Sequence, residues 1–185
     1  KDADLYSEAR NIASELGGQG KPWMLWIYTI DTHAAYGRID STCVKLPPSI
    51  ERKKQYPFVL QCASKLVNNF IEWGKDQDWF KNTTIAVMGD HPAMIAPEVA
   101  GFPQVPTEHY WLDFFVNSQI DSIPNKKRLF TSFDMYPTIL EAMGAKIEGR
   151  ALGLGRSLFS DEQTLIEKYG KDSLNTLIKK KGAMY

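Results

Sequence analysis

The chain is poor in the residues that most often announce a chemistry. It has two cysteines among 185 residues, and only three histidines. Cys43 and Cys62 lack the spacing of a zinc knuckle or a CxxC redox pair. Lys plus Arg and Asp plus Glu each number 22, so the formal net charge is zero. That balance argues against a general electrostatic hold on nucleic acid or on an anionic membrane. The one basic cluster, Lys179-Lys180-Lys181, reads as a solvated helix tail. No apolar run has the length of a membrane span, and no signal-peptide pattern opens the chain. It begins Lys1-Asp2-Ala3-Asp4 without an initiator Met, as a mature form or a proteolytic piece would. No Ser lies in a GxSxG elbow, which leaves a serine hydrolase unsupported. Gly153-Leu154-Gly155-Arg156-Ser157 has neither Walker nor GxGxxG spacing and reads as a turn. There are no internal repeats and no low-complexity tract.

What is present is a globular composition. Hydrophobic residues make up 43% and aromatics 12%, and the length suits one domain with a full core. The elements alternate. Asp4 to Leu16 has helical character and stops at Gly17-Gly18. An apolar run of strand length follows, then a long loop from Ala34 to about Lys54. Val59, Ala63, Leu66, Val67, Phe70 and Ile71 recur at three- and four-residue spacing and predict a helix whose stripe is core. A second apolar strand, a proline-rich loop from Pro92 to about Thr107 and a third strand from His109 to Val116 come next. A helix is expected from about Ser132 to Met143, closed by Gly144. Asp161 to Lys181 predicts one or two amphipathic helices, split at Gly170. Strands alternating with helices indicate an α/β fold with a mostly parallel central sheet flanked by helices.

Two strands end in chemistry. Thr83-Thr84-Ile85-Ala86-Val87-Met88 has no alternation, the pattern of a strand covered on both faces, and runs into Gly89-Asp90-His91. Trp23-Met24-Leu25-Trp26-Ile27-Tyr28-Thr29-Ile30 runs into Asp31-Thr32-His33. In parallel sheets ligands bind outside the carboxyl ends of the strands. A carboxylate beside an imidazole at that rim makes a partial site for zinc or manganese. The same residues fit a blander reading: Asp90 capping a turn, His91 on the surface, His33 bonded to backbone and Asp31 a turn residue. Cys43 and Cys62 fall in the loop and in the helix after it. They can pair in an oxidising compartment or stand as free thiols.

Thr29-Ile30-Asp31-Thr32-His33, Met88-Gly89-Asp90-His91, Phe133-Asp134-Met135-Tyr136-Pro137-Thr138-Ile139-Leu140 and Gly153-Leu154-Gly155-Arg156-Ser157-Leu158 resemble, in this order, the carboxyl-terminal half of sulfatase-like enzymes of the alkaline phosphatase superfamily. Among these the chain looks most like phosphoglycerol transferases. The resemblance runs from about Trp23 to Ser160, and the final helices add nothing to it. It implies that Asp90 and His91 hold a catalytic divalent metal, manganese or zinc, and that His33 contacts a phosphate or sugar-phosphate headgroup. His109 stands where an arginine is common, so it is a second candidate for the substrate phosphate, or a strand-start histidine with a structural bond. Asp134 is expected to cap its helix. Pro92-Ala93-Met94 after His91 departs from the phosphoethanolamine transferases.

The resemblance further implies a threonine nucleophile that takes a phosphoglycerol group from a lipid headgroup donor and passes it to a glycan or polymer hydroxyl. That threonine and the first carboxylate ligand match no segment here. The expectation is therefore a carboxyl-terminal part of a longer enzyme, partnered by its amino-terminal half, membrane-anchored and periplasmic or extracytoplasmic. This part alone is expected to bind metal poorly and not to turn over. The alternatives are a sulfatase or phosphodiesterase hydrolase of the same superfamily, and a non-catalytic module that kept the fold.

Overall fold

The computed structural model describes residues 1–33, 36–40, 43, 45–47, 49–91, 114–118, 120 and 127–180. They fall in two compact units, one built from Lys1–Asn82 with Met88–Asp113 and the other from Thr83–Val87 with Phe114–Tyr185.

The first unit is a helical pair carrying an extended segment. Helix α1 (Asp2–Gly17) buries Tyr6, Ala9 and Ala13 along one stripe, and helix α2 (Tyr56–Lys75) buries Val59, Cys62, Phe70 and Ile71 along another. Small alanines on α1 let the larger side chains of α2 approach. Tyr6, Ala9, Ala13 and Phe70 form the core cluster, with Leu25, Ile27, Leu66, Val67, Trp73 and Trp79 packed against it. The Trp79 ring lies over Gly17, where a Cβ would stand 2.1 Å from it, so only glycine fits. Burial pushes the Tyr6 hydroxyl up to about 12, with Asp2 adding to the effect.

The segment Trp23–Ile30 departs from expectation. An apolar run of strand length predicts a strand of the sheet. The chain here is without strand pairing among the described residues, and its exposure alternates strictly. Leu25 and Ile27 face the helices, whereas Met24, Trp26, Tyr28 and Ile30 are 73%, 75%, 62% and 61% exposed. The physical reason is the period of two of an extended backbone: one packed face leaves the other open.

The end of the segment is tied down by two aspartates. The Asp2 amide donates to Asp31 Oδ2 at 2.9 Å, and the Asp31 amide donates back to Asp2 Oδ2 at 3.0 Å. The Ile30 amide donates to Asp2 Oδ1 at 3.0 Å. Both carboxylates are buried, so these bonds are what makes their burial tolerable. Further on, Cys43 and Cys62 form a disulfide with a Cα–Cα distance of 5.4 Å, joining the loop to α2.

The second unit holds the described strands, all paired antiparallel. β1 (Ile85–Val87) pairs with β2 (Phe114–Val116), and β3 (Ala151–Leu152) pairs with β4 (Gly155–Arg156) in a tight hairpin. A mostly parallel sheet is thus not what these residues build. Non-alternating apolar strands suggest burial, but strand direction is set by connections that the pattern does not encode. Of the expected third strand, only Phe114–Val116 lies among the described residues. Helix α3 (Ser132–Ala142) follows, then α4 (Leu165–Tyr169) and α5 (Lys171–Ile178), which divide at Gly170 as expected.

Asp134 is the knot of this unit. Its Oδ2 accepts from the Thr131 amide at 2.8 Å and the Thr131 hydroxyl at 3.1 Å, closing the amino end of α3. Its Oδ1 accepts from the Arg156 amide at 2.8 Å, so one carboxylate ties α3 to β4. Thr138 repeats the device: its hydroxyl donates to the Asp134 carbonyl at 2.6 Å and accepts from the Leu158 amide at 2.9 Å. Pro137 has no N–H to offer the Phe133 carbonyl one turn back. That carbonyl faces Gly155 instead, where a Cβ would stand 1.9 Å from the oxygen. Arg128 pins the last helices: it pairs with Glu167 at 2.8 Å and also donates to the carbonyls of Ser160 and Glu162. The Arg128 guanidinium holds the Glu167 carboxyl below its ordinary value.

Two stability predictions follow from these contacts. Replacing both disulfide cysteines by serine should cost about 3 kcal/mol, read from urea unfolding, because the cross-link no longer restricts the unfolded chain. Gly155→Ala should also cost about 3 kcal/mol in the same assay, since the methyl must push the Phe133 carbonyl away. An unchanged midpoint would mean that β4 does not sit against α3.

Candidate metal-binding site

Asp90 and His91 follow β1 in the chain and lie in the first unit. Both side chains are about half exposed, at 50% and 49%. The His91 amide donates to Asp90 Oδ1 at 2.9 Å, so the pair closes on itself and holds one carboxylate oxygen in place. The other oxygen, Oδ2, stands 3.5 Å from His91 Nε2. That is long for a hydrogen bond. It does suit two ligands of one cation: donors about 2.1 Å from a metal at a tetrahedral angle stand about 3.4 Å apart. The donor chemistry, one carboxylate oxygen and one imidazole nitrogen, fits manganese or zinc.

Sequence reasoning missed a third participant. Tyr28 Oη donates to Asp90 Oδ2 at 2.7 Å. This hydrogen bond is the first cause holding the Asp90 carboxyl below its ordinary value, with the His91 amide and ring adding to it and partial burial opposing. The Tyr28 hydroxyl is raised in turn by the same bond. The sequence gives no signal for it, because the 23–30 run does not alternate in residue type and the alternation shows only in its exposure.

The other predicted residues are distributed as follows. His33 is exposed, and its amide closes a turn onto the Ile30 carbonyl at 2.9 Å. The Asp31 side chain is consumed by the clasp with Asp2, and its carbonyl accepts from the Arg38 amide at 2.7 Å, so Asp31 is structural. The Tyr56 hydroxyl donates to the Thr32 carbonyl at 3.0 Å and steadies the backbone next to His33. His109 and the loop from Pro92 lie outside the described residues. Among the described residues no group of three or more His, Cys, Asp or Glu is arranged to hold a metal ion.

Comparison with known proteins decides the family. The sulfatase family matches residues 1–145. The chain belongs to the sulfatase family. Among curated relatives, phosphoglycerol transferase I of Citrobacter koseri is 29% identical over 166 residues, covering 87% of this chain and 21% of the relative. Phosphoglycerol transferase I of Escherichia fergusonii is 34% identical over 94 residues, covering 50% of this chain and 12% of the relative. The Escherichia coli protein of the same name is 33% identical over 94 residues. The chain thus spans about a fifth or less of the length of the relatives it matches. No solved structure matches it. Family membership implies an alkaline-phosphatase-like α/β fold, which the antiparallel pairs and helices represent only locally. Among the described residues, no helix is long and apolar enough to cross a membrane.

Asp90 should titrate below the ordinary aspartate value of about 3.9. Tyr28→Phe should move it upward, as followed by the carboxyl carbon shift in NMR. The sign follows from the depressed folded value: the bond's contribution is present above the unfolded pKa and is lost as pH falls through the folded one.

Proposed function

We propose that this chain is the carboxyl-terminal part of a metal-dependent phosphoglycerol transferase, acting on a lipid donor and a glycan or polymer acceptor outside the cytoplasm. The observation that carries the reading is the Asp90–His91 pair, with its carboxylate oxygen and ring nitrogen 3.5 Å apart. The relatives' name, phosphoglycerol transferase I, supplies the reaction class.

In this reading Asp90 and His91 hold the cation on one side, and the remaining ligands come from elsewhere in the enzyme. A bound manganese or zinc ion would neutralise the phosphoryl oxygens and lower the pKa of the attacking hydroxyl. The lowered pKa of Asp90 keeps its carboxylate ionised down into acid, so protons compete weakly for it. His33, exposed beyond the extended segment, is assigned to the headgroup phosphate. His109 is a second candidate for that phosphate. The nucleophile is a threonine outside this chain. Transfer moves the phosphoglycerol group from the lipid oxygen to that threonine, the lipid leaving as a hydroxyl that carries the threonine's proton, and then to the acceptor hydroxyl, with the acceptor's proton taken up by the leaving threonine oxygen.

The test is glycerol-phosphate transfer from a labelled lipid donor to a glycan by the full-length enzyme. Asp90→Ala and His91→Ala should each lower the rate by more than about a hundredfold, beyond what loss of an outer-shell partner costs. His33→Ala should raise the donor KM. Free glycerol phosphate as the only product would establish hydrolysis instead, and full activity in both alanine variants would remove the pair from the site.

A further inference from the structure

Tyr28 belongs to no motif and takes no part in the core. It is 62% exposed, on the open face of the extended segment. Its neighbours Ile27 and Leu25 point the other way, into the helix pair, and fix the register of the segment. The clasp at Asp31, three residues on, fixes its end. The phenol is thereby held where its hydroxyl meets Asp90 Oδ2 at 2.7 Å.

We propose that Tyr28 is the positioning residue of the cation pair: its hydroxyl turns the Asp90 carboxylate so that Oδ2 faces His91 Nε2. This rests on reading Asp90 and His91 as cation ligands. The argument is one of restraint. A half-exposed aspartate has two side-chain torsions, and the His91 amide secures only Oδ1. A bond to each oxygen fixes the plane of the carboxylate. An ionised carboxylate has about four lone-pair positions, so two stay open after both bonds, including one on Oδ2. The Tyr28 bond is charge-assisted, which strengthens it relative to a neutral pair. A phenylalanine would preserve everything the ring does by packing and lose only the bond.

Partners that orient a metal ligand typically change metal affinity by 10- to 100-fold. The exposure of this bond places the effect near the lower end, at about tenfold. The experiment is a manganese titration of the chain, followed by paramagnetic broadening of the His91 ring signals, which reports even millimolar affinity. The proteins compared are wild type, Tyr28→Phe and Trp26→Phe. Trp26 shares the open face and has no hydrogen bond to Asp90. The expected result is about tenfold weaker binding for Tyr28→Phe, with an unchanged amide spectrum, and wild-type binding for Trp26→Phe. Equal affinity of Tyr28→Phe and wild type would overturn the proposal and leave the ligand assignment standing. Equal weakening by both variants would also overturn it, as a general effect of the face. No broadening at His91 in wild type would overturn the proposal, which needs the pair to take up the ion, whereas the cation reading itself stands or falls with Asp90→Ala and His91→Ala in the transfer assay of the full-length enzyme.

Discussion

The reciprocal bonds between Asp2 and Asp31 are the contact on which the candidate site depends. They join the first turn of α1 to the last residues of the extended segment, and they do so between buried carboxylates and backbone amides. A buried carboxylate that loses such a partner carries a heavy desolvation cost, so the clasp is held strongly in one arrangement. With the end fixed by the clasp and Leu25 and Ile27 fixed by the helix pair, the segment has little freedom to slide. A slip of one residue would exchange its two faces and carry Tyr28 away from Asp90. The geometry of the exposed Asp90–His91 pair is thus set by contacts that are themselves buried.

The second unit uses the same logic with different residues. Asp134 bonds Thr131 at the start of α3 and Thr138 bonds within it, and each also accepts one bond from the β4 region, so helix and hairpin hold each other. The Phe133 carbonyl, freed by Pro137, lies against Gly155, and the glycine is required by that approach. The motifs that reveal kinship at the sequence level, Asp134 to Leu140 and Gly153 to Leu158, are therefore one structural joint seen as two separate stretches. The short helices α4 and α5 are below the length at which helices persist alone, so Arg128 and its ties to Ser160, Glu162 and Glu167 matter to them.

How legible this was differed by the kind of interaction. The α2 stripe and the Gly170 break were plain, because a helical period and a positive-φ glycine at 75° leave local marks. Asp90 and His91 were singled out as candidates from a strand pattern followed by two metal-capable side chains. Asp31 looked equivalent in its tail and turned out to be structural, because Asp2, 29 residues away, claims both its amide and its carboxylate. Tyr28 was invisible as a site residue, since a tyrosine in an apolar run reads as core. The antiparallel pairing of β1 with β2 was equally hidden: side-chain pattern reports burial, and strand direction depends on the path of the chain between them.

The sequence by itself determined the main helices, the family and the candidate residues for a cation. Those properties depend on side-chain type and on spacing over a few residues, which a linear string contains. Tertiary structure decided which aspartate is structural and which faces a histidine, and which face of the 23–30 segment is open. It also decided that a tyrosine 62 residues before Asp90 donates to its carboxylate. Each of these is a contact between distant parts of the chain, and burial and hydrogen-bond satisfaction select it only once the helices have packed.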